Sequence, residues 1–160
     1  MKIVGIVGYG EVGSSLHKVY KNNSIDCKIK DSWKNHNDDF SEVQILNICI
    51  PYLDLENFIC QVKEYIHDKI ELVLIHSSIG LGVIEKLKQM YPSIHIVHSP
   101  IRGVHPHLTE GIEVFTKFVG HMKGDEKSGI VGCDHLNKLG VKTEMTDDKT
   151  TILAKLFSTT

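Results

Sequence analysis

The strongest constraint on the fold of this chain lies at its amino terminus, where an apolar run leads directly into a glycine-rich turn. Residues 2–7 are β-branched and almost wholly apolar, which is typical of a strand buried on both faces of a sheet. Residues 8–13 form the turn, and a helical pattern with one apolar stripe follows over residues 11–20. A strand, a turn and a helix in immediate succession predict the first unit of a sheet whose strands alternate with helices.

The glycines of this turn have the spacing G-x-G-x-x-G, and each one has a physical role. Gly8 allows the tight turn, Gly10 lets the backbone approach a pyrophosphate, and Gly13 lets the helix pack closely on the strand. The free N–H groups at the start of the helix and its dipole favour bound phosphate. The strand before the motif and the helix after it are the context that a dinucleotide site requires, although a purely structural turn is the alternative. The predicted cofactor-binding loop is Gly8, Tyr9, Gly10, Glu11, Val12 and Gly13.

Length and composition exclude several other classes of protein. The chain has 160 residues, a formal net charge of -2 and a hydrophobic content of 41%, which suit one soluble globular domain. We expect no nucleic-acid partner because no basic run is present, and no membrane association because no apolar stretch reaches the ~20 residues of a span. The apolar amino terminus is not a signal peptide, since it enters the glycine turn directly. Four widely spaced cysteines suit a reducing cytoplasm, where we expect the protein to reside.

Apolar runs and helical periods alternate along the rest of the chain. Further strands are predicted at residues 25–30, 43–50, 71–75, 94–97, 116–121 and 141–145, and helices at 53–67, 83–90, 125–139 and from 147 or 148 onward. Residues 32–40 leave room for one small helix at most, and about a dozen residues after Pro100 are predicted to form a loop. The alternation predicts an α/β fold, a doubly wound, mostly parallel sheet of the Rossmann type. We assign residues 1–146 to this dinucleotide-binding domain and residues 147–160 to the first helix of a truncated or missing helical domain.

The adenosine half of a dinucleotide is expected at the end of the second strand. Asp31 lies there, ~20 residues past the glycine turn, where an acidic side chain hydrogen-bonds the ribose and repels a 2′-phosphate. This favours NAD over NADP, although Ser32 and Lys34 could accommodate a phosphate and a plain turn residue is the alternative for Asp31. Trp33, the one tryptophan, lies where an adenine could stack, and core or surface packing is an equal alternative.

Residues that follow the later strands are candidates for the nicotinamide and substrate positions. Pro51 and Ser77 are predicted to border the nicotinamide, with helix capping as the alternative for the serine. His98 could act as a general acid or base because imidazole titrates near neutrality. Arg102 could clamp a carboxylate or phosphate, or lie on the surface. We expect no metal site, because the histidines of this region lack a ligand spacing.

On these residues the sequence resembles the superfamily of β-hydroxyacid dehydrogenases, with the related prephenate and nucleotide-sugar dehydrogenases. The glycine turn is common to nearly all of them. Residues 98–103, H-S-P-I-R-G, resemble the D-A-P-V-S-G substrate loop of the first family and the H-P-M-A-G loop of the prephenate enzymes equally well. Arg102 stands where the first family has a substrate-binding serine, and Ser99 rather than His98 aligns with the catalytic histidine of the second.

Residues 152–159, I-L-A-K-L-F-S-T, resemble the helix that opens the second domain of these families. That helix carries a catalytic lysine and, four residues later, an asparagine, so both side chains share one helical face. Lys155 matches the lysine and Thr159 replaces the asparagine. The resemblance implies that Lys155 transfers a proton or holds the substrate, with a solvated lysine as the alternative. It also implies that Arg102, Gly103 and Thr159 bind the substrate.

The predicted function is therefore that of an NAD(P)-dependent oxidoreductase or its cofactor domain. Hydride would pass between the nicotinamide and an anionic hydroxy-acid, prephenate-like or sugar substrate, and the candidate catalytic residues are Lys155 and His98. NAD is the predicted cofactor, with NADP left open, and a homodimer is one expectation because second domains of these families often dimerise. The alternative is a non-catalytic dinucleotide sensor or partner-docking module, which an apolar face on the final helix also fits.

Overall fold

The computed structural model describes residues 1–101 and 107–158, and these ranges contain one sheet of eight strands. The strands are β1 Val4–Val7, β2 Cys27–Asp31, β3 His36–Asn37, β4 Ile45–Ile48, β5 Leu72–Ile75, β6 His95–His98, β7 Lys117–His121 and β8 Thr143–Asp147. Their order in the sheet is β3-β2-β1-β4-β5-β6-β7-β8. Neighbouring strands are parallel except for the pairs β2–β3 and β6–β7.

Helices cover both faces of the sheet, and the described ranges contain six of them. They are α1 Glu11–Asn22, α2 Leu55–Lys63, α3 Val83–Met90, α4 Leu108–Val114, α5 Glu126–Lys138 and α6 Asp148–Ser158. Strand side chains alternate between the two layers. In β5, Leu74 belongs to the apolar cluster that includes residues of α1, α4 and α5, and Ile75 belongs to the cluster that includes residues of α2, α3 and α6. This architecture confirms the predicted doubly wound, mostly parallel α/β fold.

Two segments differ from the sequence prediction. The residues after Pro100, predicted as a loop, include α4, which packs against α1 and buries Leu108 and Ile112. A helix this short has room for only two buried apolar positions, so the sequence shows no helical period there. Residues 32–40, where at most a small helix was expected, contain β3, which pairs antiparallel with β2 through His36 opposite Asp31.

The start of α6 belongs to the core of the sheet domain. Asp147 Oδ1 accepts the N–H of Thr150 at 2.8 Å, as expected for a residue that caps the helix. Ile152 is buried in the same apolar cluster as α2 and α3, and α6 contacts β6, β7 and β8. The domain boundary after residue 146 remains a prediction. Within the described ranges, no helix combines the length and the apolar character needed to cross a membrane.

The sheet order reverses at β1, which lies between β2 on one side and β4 on the other. Chain connections leave in opposite directions at this point, so the carboxyl ends of β1 and β4 flank a crevice. This topological switch point is where a doubly wound sheet binds its ligands.

Candidate functional site

The glycine turn connects β1 to α1, and its backbone leaves no room for side chains at two positions. Gly8 has a φ of +93°, and a Cβ there would lie 2.6 Å from the carbonyl oxygen of Cys49. A Cβ on Gly13 would lie 1.8 Å from the carbonyl oxygen of Gly8. The first glycine therefore brings the turn against β4, and the last brings α1 against the turn, as the motif predicts.

Gly10 has the opposite surroundings, because a Cβ built on it meets no atom within 4 Å. This residue is the N-cap of α1 and has no side chain with which to cap the helix. The open space therefore adjoins the positive end of the helix dipole, which favours an anionic group.

A cavity of about 380 Å³ extends from the glycine turn to the carboxyl ends of β4 and β5. The residues that line it are Gly10, Glu11, Val12, Cys49, Ile50, Pro51, Tyr52, Ser77 and Ser78. The structure thus brings three predicted loop residues together with Pro51 and Ser77. The Ser77 hydroxyl donates to the carbonyl oxygen of Ile50 at 2.5 Å and joins the ends of the two strands.

Asp31 lies at the end of β2, and its carboxylate accepts three backbone hydrogen bonds. Oδ2 accepts the N–H of Tyr9 at 2.5 Å, and Oδ1 accepts those of Trp33 at 2.8 Å and Lys34 at 3.1 Å. Burial opposes ionisation of this carboxyl group, but the three hydrogen bonds outweigh it and lower the pKa. Asp31 is therefore ionised at neutral pH and ties the end of β2 to the glycine turn. Ser32 beside it is exposed.

The Tyr9 side chain joins two histidines that sequence reasoning did not select. Its hydroxyl is 2.7 Å from Nδ1 of His17 on α1, and its ring centroid is 4.8 Å from that of His36 on β3. His17 lies 8 positions after Tyr9 and His36 lies 27 positions after it, so no local sequence pattern indicates these contacts. Together they connect the glycine turn to α1 and to β3.

His98, predicted as an acid or base, is completely buried at the end of β6. Its Nε2 donates to the carbonyl oxygen of Ser77 at 2.9 Å, and its Nδ1 lies 2.9 Å from the hydroxyl of Thr151. Burial lowers its pKa to about 4. Both ring nitrogens are thus engaged within the protein, an arrangement that joins β5, β6 and α6 and favours a structural role for this imidazole.

Lys155 lies half-buried on α6, and its Nζ donates to the carbonyl oxygen of Ile101 at 2.9 Å. It also borders a second cavity of about 300 Å³. The other residues that line this cavity are Pro100, Phe118, Thr146, Thr150, Thr151 and Ala154. The predicted substrate-binding residues Arg102, Gly103 and Thr159 lie outside the described residues.

Lys117, which the sequence analysis does not select, is a buried amine at the start of β7. Its side chain donates to the carbonyl oxygen of Ser99, and burial lowers its pKa to about 7. The same carbonyl oxygen is 3.1 Å from Nδ1 of His76, whose Nε2 is 2.8 Å from Oδ1 of Asn47. These polar contacts connect the ends of β4, β5, β6 and β7. The one feature of the sequence that could have indicated this buried amine is a lysine within an otherwise apolar strand pattern.

Possible metal ligands do not converge in the described part of the chain, where no three His, Cys, Asp or Glu side chains are grouped so that they could hold an ion.

No protein-family model and no curated protein sequence matches this chain. Solved structures do match it. A UDP-D-ManNAc dehydrogenase from Pyrococcus horikoshii has a TM-score of 0.77 at 17% identity over 99% of this chain and 50% of its own. The 3-hydroxyisobutyrate dehydrogenase of Mycobacterium tuberculosis, with L-serine, has a TM-score of 0.73 at 13% identity over 99% of this chain and 59% of its own.

A third match is the prephenate dehydrogenase of A. aeolicus in complex with hydroxyphenyl propionate and NAD+. Its TM-score is 0.68 at 14% identity, over 94% of this chain and 61% of its own. The predicted resemblance is therefore confirmed at the level of the fold, which this chain shares with these dehydrogenases. The chain spans about half the length of the UDP-sugar dehydrogenases that it matches.

Proposed function

We propose that this chain binds NAD in the crevice at the carboxyl end of β1 and is the cofactor domain of an NAD(P)-dependent oxidoreductase. The geometry of the glycine turn carries the proposal. Gly8 and Gly13 pack without room for a side chain, whereas Gly10 faces open space at the N-cap of α1 beside a cavity of about 380 Å³. A turn with a purely structural role needs glycine at positions 8 and 13 but not at position 10.

The residues fit a dinucleotide along the crevice. The N–H groups at the start of α1 would hold the pyrophosphate, and Asp31 would accept hydrogen bonds from the adenosine ribose. Its ionised carboxylate would repel a 2′-phosphate, which favours NAD over NADP. Pro51 and Ser77 line the same cavity after the carboxyl ends of β4 and β5, where they would border the nicotinamide. Once bound, the nicotinamide would accept or supply the hydride.

On the substrate side, we propose that Lys155 holds an anionic substrate or moves a proton at its hydroxyl group. Arg102, Gly103 and Thr159 remain proposed substrate ligands on the resemblance alone. His98 is left out of the proposed catalytic residues because both of its ring nitrogens are engaged with Ser77 and Thr151. The substrate class stays that of the resemblance, an anionic hydroxy acid, a prephenate-like compound or a nucleotide sugar.

Titration with NADH and with NADPH, followed by calorimetry and by the thermal midpoint, tests cofactor binding. Ligand at about 100 times Kd adds about 2.7 kcal/mol of stability, so binding produces a clear thermal shift. We expect NADH to bind more tightly than NADPH. Asp31→Asn should weaken NADH binding by roughly 10- to 100-fold, the value of a hydrogen bond to a charged group, and should reduce the preference for NADH. Asp26→Asn, the same change of charge at an exposed residue just before the opposite end of β2, is the matched control.

The absence of binding by either nucleotide would overturn the proposal. Tighter binding of NADPH would instead overturn the role of Asp31 and favour Ser32 and Lys34 as ligands of the 2′-phosphate.

A second candidate function, a non-catalytic cofactor sensor that docks on a partner, is favoured by one observation. α6 exposes apolar side chains, with Leu153 41% and Phe157 77% exposed. Incubation of the NADH- and NAD+-loaded chain with a panel of hydroxy acids, prephenate and nucleotide sugars separates the two. Hydride transfer, followed as a change in NADH absorbance, would support the oxidoreductase, whereas binding without turnover would favour the sensor.

A further inference from the structure

We propose that the Trp33 indole, at the tip of the hairpin between β2 and β3, is the surface on which the adenine of the dinucleotide stacks. The inference rests on the proposed function and identifies the side chain that holds the base.

The backbone at the tip of this hairpin is held in one conformation. Asp31 and His36 are paired across β2 and β3, so residues 32–35 form the connecting loop. Asp31 Oδ1 accepts the N–H groups of Trp33 and Lys34, which fixes the first half of the loop. Asn35 has a φ of +57°, in the left-handed region that asparagine tolerates, and this turns the chain back into β3. Trp33 is thus presented from an ordered tip.

The hairpin is also tied to the phosphate-binding end of the crevice. The other carboxylate oxygen of Asp31 accepts the N–H of Tyr9, which follows the first glycine of the turn, at 2.5 Å. A dinucleotide whose pyrophosphate lies at α1 and whose ribose lies at Asp31 must place its adenine beyond the end of β2. Trp33 stands two residues beyond that end.

The exposure of the aromatic side chains at this end singles out Trp33. The Tyr9 ring packs against the rings of His17 and His36. Trp33, in contrast, is 94% exposed. An indole in water contributes little to the stability of the free protein, whereas a flat, rigid ring beside a ribose site is well suited to stack on a purine. Truncation of such a stacking partner typically weakens binding by roughly 5- to 100-fold.

Fluorescence gives a direct test because Trp33 is the single tryptophan of the chain. AMP, ADP-ribose and NAD+, which all carry adenine, should quench its emission as they bind, and nicotinamide mononucleotide should not. Trp33→Ala should weaken the binding of AMP and of NADH, measured by calorimetry, by the same factor of roughly 5 to 100, and Trp33→Phe should retain most of the affinity. Both variants should keep the thermal midpoint of the unliganded protein, since the side chain is exposed.

Calorimetry separates the two possible failures. Suppose that the wild type binds NADH, but AMP does not change the Trp33 emission or Trp33→Ala binds NADH with unaltered affinity. Either result would overturn the adenine assignment and leave the proposed function intact. The absence of nucleotide binding by the wild type would overturn the proposed function and this inference with it.

Discussion

Replacement of Gly13 by alanine tests whether the packing of α1 on the glycine turn follows the geometry described above. The added Cβ would lie 1.8 Å from the carbonyl oxygen of Gly8 and 2.9 Å from its carbonyl carbon. An ordinary contact requires the Cβ and the oxygen atom to separate by roughly 1.5 Å more. The turn cannot yield easily, because the Gly8 N–H is bonded to the carbonyl oxygen of Lys30 at 2.9 Å and Gly8 itself lies against Cys49.

The magnitude follows from two opposing effects. Overpacking that forces the backbone to shift costs about 1 to 3 kcal/mol, and a clash with the main chain belongs at or above the upper end of that range. Alanine in a helix is more favourable than glycine by about 1 kcal/mol, which offsets part of the cost. We therefore expect Gly13→Ala to lower the free energy of unfolding by about 2 kcal/mol, measured by urea denaturation.

Gly10→Ala is the matched control, because it adds the same methyl group three residues earlier in the same turn. Its Cβ meets nothing within 4 Å, and its φ of -76° suits any residue. We expect its free energy of unfolding to stay within about 1 kcal/mol of the wild type, and its NADH affinity to fall because the methyl group occupies the space proposed for the pyrophosphate. A stable Gly13→Ala protein would refute the packing argument, and undiminished NADH binding by Gly10→Ala would refute the phosphate site.

Two further predictions concern buried titratable groups. Lys117 has a pKa of about 7 in the folded chain, against about 10.4 when unfolded, so the stability of the wild type should rise from pH 7 to 10. Lys117→Met should therefore raise the free energy of unfolding. This increase should be about 2 to 3 kcal/mol smaller at pH 9.5 than at pH 6.5, and an increase independent of pH would contradict the prediction. His98, with a folded pKa of about 4 against about 6.5 unfolded, should lose stability on acidification. Between pH 7 and pH 5 the wild type should lose about 2 kcal/mol more than His98→Gln by urea denaturation, and equal losses would show that His98 does not titrate as described.

Features that depend on neighbours along the chain were predictable from the sequence alone. The run at residues 2–7, the three glycines and the helical stripe after them are local signals, and together they predicted the strand–turn–helix unit that the structure contains. The regular alternation of apolar runs and helical periods predicted the doubly wound sheet for the same reason, since each strand or helix buries a face that its own residues define. The acidic residue at the end of β2 was also found by spacing alone.

The roles of the candidate residues were not predictable in this way, because their environments depend on contacts between distant parts of the chain. His98 looked available as a strand-end imidazole, yet Ser77 and Thr151 engage both of its nitrogens. Lys117 became a buried amine because β7 runs antiparallel to β6 and begins beside Ser99. The hairpin that presents Trp33 required a two-residue strand too short to carry a period. Hydrogen bonding and burial of this kind depend on which segments meet in space, and a linear pattern does not record that.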